Sequence, residues 1–205
     1  MDTAFFITAF VTLFVIIDPI GLTPLFVALT QGMTAQARRA IGLRACVTAA
    51  FILCLFAAFG EAVLGFVGIS MPAFRIAGGV LLFLTALDML FERRTKRRED
   101  QADEEDGPDP SVFPLAIPLI AGPGAIASVI LLAGQSPGWQ GLVATLAVMV
   151  AVLLIVLLLF LSAGLLERAL GKTGINVVTR LLGMLLAALS VQFVLDGLRA
   201  FGFAS

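Results

Sequence analysis

The sequence predicts an all-α integral membrane protein of six transmembrane segments, arranged as two inverted repeats of three, with segments one and four broken by Pro and Gly. Three observations carry that reading. Of 205 residues, 60% are hydrophobic and 13% charged, where a soluble domain keeps about a quarter of its positions charged. The mean hydropathy is +1.08, and the run from Leu142 to Leu166 holds no charge at all, although about 20 apolar residues suffice to cross the hydrocarbon core. Finally, the two halves of the chain resemble one another at an offset of about 105 residues.

Hydropathy read against helix length places the segments at 4–30, 40–67, 72–91, 112–134, 141–166 and 177–200. The N-terminal apolar run is read as a span and not as a signal peptide, because no Lys or Arg precedes Arg38. Segment two carries both cysteines, Cys46 and Cys54. Eight residues of helix separate them by roughly 12 Å, beyond the reach of a disulfide, so they read as small apolar residues. Histidine is absent, which removes imidazole proton relays, Ser-His and Cys-His dyads and most zinc sites. No metal or cofactor is expected.

Segment three ends at the one strongly hydrophilic stretch, Glu92 to Pro110, basic at first, then acidic, and ending in turn formers. It reads as a solvated linker (92–111) between repeats at 1–91 and 112–205, and its net negative charge argues against nucleic acid as a partner. The 13 basic residues set the orientation. Arg38, Arg39 and Arg44 follow segment one, a cluster from Arg93 to Arg98 follows segment three, and Arg168, Lys172 and Arg180 lie between segments five and six. Arg75 and Arg199, near helix ends, are the exceptions. Basic residues favour the cytoplasmic side, so both termini are expected outside the cytoplasm, with Trp139 an interfacial anchor in an outer turn.

The repeat shows in ordered matches. Leu64-Gly65-x-x-Gly68-Ile69 recurs as Leu170-Gly171-x-x-Gly174-Ile175, Arg75-x-x-Gly78 as Arg180-x-x-Gly183, and Thr85 as Ser190. Upstream, Asp18-Pro19-Ile20-Gly21 takes the place of Gly122-Pro123-Gly124. With three spans per repeat the second copy enters from the opposite side, an architecture that recurs in secondary transporters.

Each half opens on a break. Pro19, Gly21 and Pro24 interrupt segment one; Pro118 and Gly122-Pro123-Gly124 interrupt segment four. Irregular backbone at membrane depth must be satisfied by protein or by a water-filled cavity. Half-helices beginning near Leu22 and Ala125 would aim free N–H groups and positive dipole ends at that cavity, where two such ends can hold a carboxylate. A plain pair of Pro/Gly kinks is the bland alternative. Asp18 is the carboxylate expected deepest in the bilayer, where a charge costs at least about 2.5–3.5 kcal/mol. It is expected to titrate, bind a cation or bond a substrate ammonium, or else to cap the half-helix that follows. The substrate-site candidates are Asp18, Pro19, Gly21, Thr23, Gly122, Gly124 and Ser128, with Asp18 also the candidate for the coupling ion; Thr85, Ser190 and Gln192 are weaker cavity-lining candidates. Arg75 and Arg180 read as interfacial, with Gly78 and Gly183 allowing close helix approach.

The Asp18-Pro19-Ile-Gly21-x-x-Pro24 run, Pro118-Leu-Ile-Ala-Gly122-Pro123-Gly124 and the paired Arg-x-x-Gly helices resemble the MarC family of bacterial inner-membrane proteins over essentially the whole chain. The family is distantly similar to the LysE-type amino-acid exporters. The resemblance implies a multi-pass inner-membrane transporter of small neutral amino acids such as glycine and alanine. Many members carry Asn where this chain has Leu22, so selectivity here is open to differ. The expected partners are an amino-acid substrate and the lipid bilayer, with a homo-oligomer left open. The rivals are a non-transporting scaffold, an exporter of another small solute, a passive channel, and a lipid-acting enzyme, the last disfavoured by the lack of histidine, paired intramembrane carboxylates or a nucleotide loop.

Overall fold

A computed structural model describes residues 3–91, 93, 109–135 and 139–203, leaving aside the side chains of Glu167, Arg168 and Lys172. The charged linker, apart from Arg93 and its last three residues, therefore lies outside the described residues, as do both chain termini. Every element among the described residues is helical. In chain order they are α1 (Thr3–Ile17), α2 (Pro19–Leu29), α3 (Ala35–Val67), α4 (Met71–Leu90), α5 (Ser111–Ile120), α6 (Pro123–Ala133), α7 (Trp139–Leu161) and α8 (Ala163–Ala200). Five stretches are long and apolar enough to cross a membrane, with α1 and α2 counted together, and α5 with α6 supplies a sixth if that bent pair is one span.

The two breaks are built differently. Between α1 and α2 only Asp18 leaves the helical region, at φ 56° and ψ 65°. The ladder runs straight through it: the Asp18 amide donates to Phe14 O and the Leu22 amide to Asp18 O, both at 2.9 Å. The helix resumes at Pro19, three residues earlier than expected, because a proline at the first position gives up an N–H that has no helical partner anyway. Pro24 stays inside α2 without ending it. By contrast α5 and α6 meet at 57°. Phe113 and Ile117 are extended (ψ 131° and 126°), and each precedes a proline joined by a cis bond, as the crowding before proline dictates. The hydrogen bonds at the two ends of α5 are wide, Leu115 N to Pro110 O and Ala121 N to Ala116 O.

The other ends follow ordinary capping chemistry. Thr34 and Ser70 accept from the amides of Ala37 and Ala73. Gly68 closes α3 at φ 83°, with the Ile69 amide donating to Leu64 O at 2.9 Å. The repeated Leu-Gly-x-x-Gly-Ile run behaves otherwise in the second half, where the positive φ (61°) falls on Gly171. The expected gap between segments five and six is thus nearly absent: α8 starts at Ala163 and kinks at Gly171, and its spanning part is Thr173–Ala200.

The broken segments form the middle of the bundle. Half of the most apolar window of Thr3–Leu29 is buried, against 17% for α3 and 28% for α4 and for α8, and α6 buries Ala127 to Leu132 without interruption. The outer helices turn bulky apolar side chains outward, among them Phe51, Phe59 and Phe66 on α3 and Leu158 on α7. Such a surface suits hydrocarbon and not water.

Glycines draw the outer helices together. A side chain on Gly79 of α4 would meet the Ser190 carbonyl and Val194 of α8 at 2.7–2.8 Å, and one on Gly183 or Gly197 of α8 would meet Met89 or Ile76 of α4. Positions 72–79 thus face 190–197 while 86–90 face 183, so α4 and α8 run antiparallel. Gly134 lies against Met71, and Gly78 against Leu131, so α6 also runs antiparallel to α4. Small residues at such crossings let backbones approach where lipid supplies no hydrophobic drive for association. At the start of α3, Gly42 packs on Phe26 and Phe160, whose rings stack at 4.2 Å and 2°.

Candidate functional site

The chemistry on offer in the bundle centre begins with Asp18. Its side chain is fully buried, and Oδ1 accepts a 3.0 Å hydrogen bond from the Gly21 amide. The carboxylate therefore caps the first turn of α2, which is where an anion is favoured by the helix dipole. Gly21 is small for that reason, since a Cβ there would collide with the Asp18 carboxylate. Pro19 is buried at the first position of α2, and its carbonyl accepts from the Thr23 hydroxyl at 2.9 Å.

The second break supplies the opposite arrangement. Gly122 stands at the cap position of α6 without a side chain, and no side-chain hydrogen bond closes that end. Pro123 has no amide hydrogen, and the Ile126 amide is the first to find its helical acceptor, Gly122 O at 3.0 Å. The α6 N-terminus, with the Gly124 and Ala125 amides in its first turn, is thus uncapped while that of α2 is capped. Gly124 is buried, and a Cβ built on it would lie 3.4 Å from Ile16, 3.5 Å from Leu82 and 3.8 Å from the Thr85 hydroxyl. That contact joins the two breaks, because Ile16 is two residues from Asp18, and it brings α4 in as a third wall.

The remaining candidates separate into two groups. Thr85 belongs with Gly124, its hydroxyl donating to Leu81 O at 3.0 Å. Ser128 is completely buried one turn further along α6, and its hydroxyl has no hydrogen-bond partner among the described residues. Ser190 is buried where α8 crosses Gly79 and bonds its own backbone at Ala187 O, 2.6 Å. Gln192 is exposed on α8 and donates to Asp196 at 2.8 Å, so it lies away from the breaks. Ile16 and Leu82, the apolar residues that close round Gly124, were not singled out in the sequence; nothing in an apolar run marks one Leu or Ile above its neighbours.

A cavity of about 600 Å³ lies beside the second break. Phe56, Phe59 and Gly60 of α3, Leu81 of α4 and Pro118 and Pro123 beside the break line it. Its lining is almost wholly apolar, and none of the substrate-site candidates reaches it. No group of three or more His, Cys, Asp or Glu side chains is placed to hold a metal ion among the described residues.

At the face where the linker ends, Asp109 pairs with Arg44 at 2.7 Å. Ser111, whose amide donates to Asp109 at 3.1 Å, and then Arg44 hold the Asp109 carboxyl below its ordinary 3.8.

The model of the MarC family of integral membrane proteins matches residues 3–201. A UPF0056 membrane protein of Aquifex aeolicus is 37% identical over 95% of this chain and 92% of its own length. The UPF0056 membrane protein YvbG of Bacillus subtilis is 35% identical over 97% of this chain and 96% of its own, and one from Methanocaldococcus jannaschii is 40% identical over 95% and 86%. No solved structure matches the chain. Buried broken helices, a lipid-facing outer ring and full-length similarity lead to one statement: the chain belongs to the MarC family of integral membrane proteins.

Proposed function

We propose that this protein is a secondary transporter of small neutral amino acids, driven by a proton or sodium gradient, with its substrate site where the two broken spans meet. The observation that carries the reading is the asymmetry of the two half-helix ends. The α2 N-terminus is occupied by its own Asp18, whereas that of α6 is buried and uncapped beside Ile16, Leu82 and Thr85. An amino acid brings a carboxylate and an ammonium. The carboxylate suits the first-turn amides of α6, where dipole and N–H groups both favour an anion, and the ammonium suits the neighbourhood of Asp18 and the Thr85 hydroxyl. Gly124 has no side chain in the way. The sequence points to both half-helix ends for the carboxylate; the Gly21 amide, already bonded to Asp18, favours the α6 end.

The reading includes two inverted three-span repeats in the inner membrane, with both termini outside the cytoplasm. Antiparallel α4 and α8, which are the third spans of the two halves, and broken first spans at the centre support it. A site near the midplane between repeats is where such folds place their substrate. An enzymatic role has no support from paired catalytic groups near the breaks.

The test is uptake of radiolabelled glycine and alanine into proteoliposomes under imposed proton or sodium gradients. Saturable, gradient-dependent uptake is expected, falling at least tenfold in Gly124→Leu with the protein still folded. Folded protein that moves no neutral amino acid under either gradient would contradict the proposal.

A further inference from the structure

Hydroxyls in membrane helices ordinarily bond their own backbone, and Thr23, Thr30, Thr85, Ser162 and Ser190 all do so here. Thr12 on α1, Ser128 on α6 and Thr145 on α7 do not: each is fully buried, and none has a hydrogen-bond partner among the described residues; Ser111 and Thr179, also buried and unpartnered, stand on α5 and α8. A buried hydroxyl left unmade costs free energy, and a nearby backbone carbonyl was available to relieve it.

The helix registers bring the three to one layer. α1, α6 and α7 all pack against one another. Ile16 touches the Gly124 position, and α1, which runs parallel to α4 as the first and third spans must, is antiparallel to α6. One turn from Ile16 on the same face is Thr12, and one turn from Gly124 is Ser128, so both lie in the α1–α6 interface on the same side of the break. Ser128 precedes the end of α6 by about as much helix as separates Thr145 from the start of α7, which returns antiparallel to it. Thr8, one turn above Thr12, is exposed, so the hydroxyls on α1 continue towards the end of the bundle.

We infer that Thr12, Ser128 and Thr145 form a binding site for a small dehydrated monovalent cation of sodium size. Hard cations take oxygen ligands, and neutral oxygens with no opposing charge in the layer suit a single positive charge better than two. Serine and threonine hydroxyls do not titrate near neutral pH, so the layer is not itself a proton carrier. The close approach of Ile16 to Gly124 favours a small ion over a large one. The Asp18 carboxylate, about 9 Å further along the same span, adds attraction and links the ion to the substrate site. As the coupling ion of the transport cycle this assignment rests on the transport reading; as a binding site it is measurable without any amino acid.

The experiment is thermal unfolding of the purified protein, titrated with sodium, lithium, potassium or choline chloride at constant ionic strength and without amino acid. A ligand bound only by the folded state raises the midpoint saturably. Sodium is expected to do so, with potassium and choline at least tenfold weaker. Thr12→Val and Ser128→Ala are each expected to weaken the sodium effect at least tenfold while folding as well as the parent, since they remove hydroxyls that make no bond. Ser162→Ala, which removes an exposed back-bonded hydroxyl, is expected to leave it unchanged. No sodium-specific shift in the parent, which would mean water alone fills the layer, overturns the inference, and so does an equal shift in the variants. Sodium binding without amino-acid uptake under any gradient would instead refute the transport reading and leave the site standing.

Discussion

At the scale of single residues, the site turns on what each break does with its first N–H groups. Asp18 takes up the Gly21 amide, so Asp18→Ala should cost about 0.5–2 kcal/mol, as loss of an N-cap does. Asp18→Asn keeps an acceptor oxygen, so its stability should stay close to the parent's while transport is lost; thermal unfolding beside uptake separates the two effects. Gly21→Ala should destabilise by displacing the capping carboxylate. Gly124 differs, because an added Cβ finds ordinary van der Waals contacts at 3.4 Å and beyond. Gly124→Ala should therefore change stability by no more than about 0.5 kcal/mol yet weaken amino-acid binding by narrowing the space beside the α6 amides. The capping geometry of Asp18 was legible in the sequence, since Asp-Pro-x-Gly before an apolar run is a helix start. The isolation of the Ser128 hydroxyl was not: sequence alone does not tell a back-bonded serine from one that is not.

At the scale of elements, hydropathy and helix length identify the spans well because burial in hydrocarbon leaves a long charge-free run for each. The unbroken helices were therefore legible to within five residues, apart from the start of α8. The broken ones were less so. Pro118 was read as part of the second break, but Pro114, four residues earlier, takes part equally, with Phe113 and Ile117 both forced extended. The result is a 57° bend between α5 and α6, whereas α1 and α2 run on as one stretch. Gly171 illustrates the same point, because the matched Leu-Gly-x-x-Gly-Ile runs end one helix and kink another. The α4–α8 crossing is the element most open to test. Gly79→Ala would drive a methyl group to within 2.8 Å of the Ser190 carbonyl, an overpacking expected to cost about 1–3 kcal/mol in reversible unfolding, whereas Gly65→Ala, with nothing near it, should not destabilise.

At the scale of the whole molecule, the helices on either side of the two breaks are the most buried and the long unbroken ones the least, so that irregular backbone faces protein and smooth apolar helix faces outward. Among the described residues, Asp18 is the charged group at the bundle centre, and the others lie towards or beyond the ends of the spans. The Arg44–Asp109 pair joins the linker's end to the start of α3. Because Ser111, and then Arg44, hold the folded Asp109 pKa below its ordinary value, the stabilisation is present above about pH 4 and is lost as the pH falls through the folded value. Both partners are solvent-exposed, so the effect should stay under about 1 kcal/mol and fade with salt; Asp109→Asn should remove that part of the acid dependence. The central claim is that the uncapped α6 end, held against α1 by the Ile16–Gly124 contact, receives the carboxylate of a small neutral amino acid. Equilibrium binding of radiolabelled glycine and alanine to purified protein tests it most directly. Saturable binding is expected, abolished by Gly124→Leu and abolished equally by blocking the substrate carboxylate as an amide. Binding of the amide as tight as that of the free acid, or binding indifferent to Gly124→Leu, would contradict it.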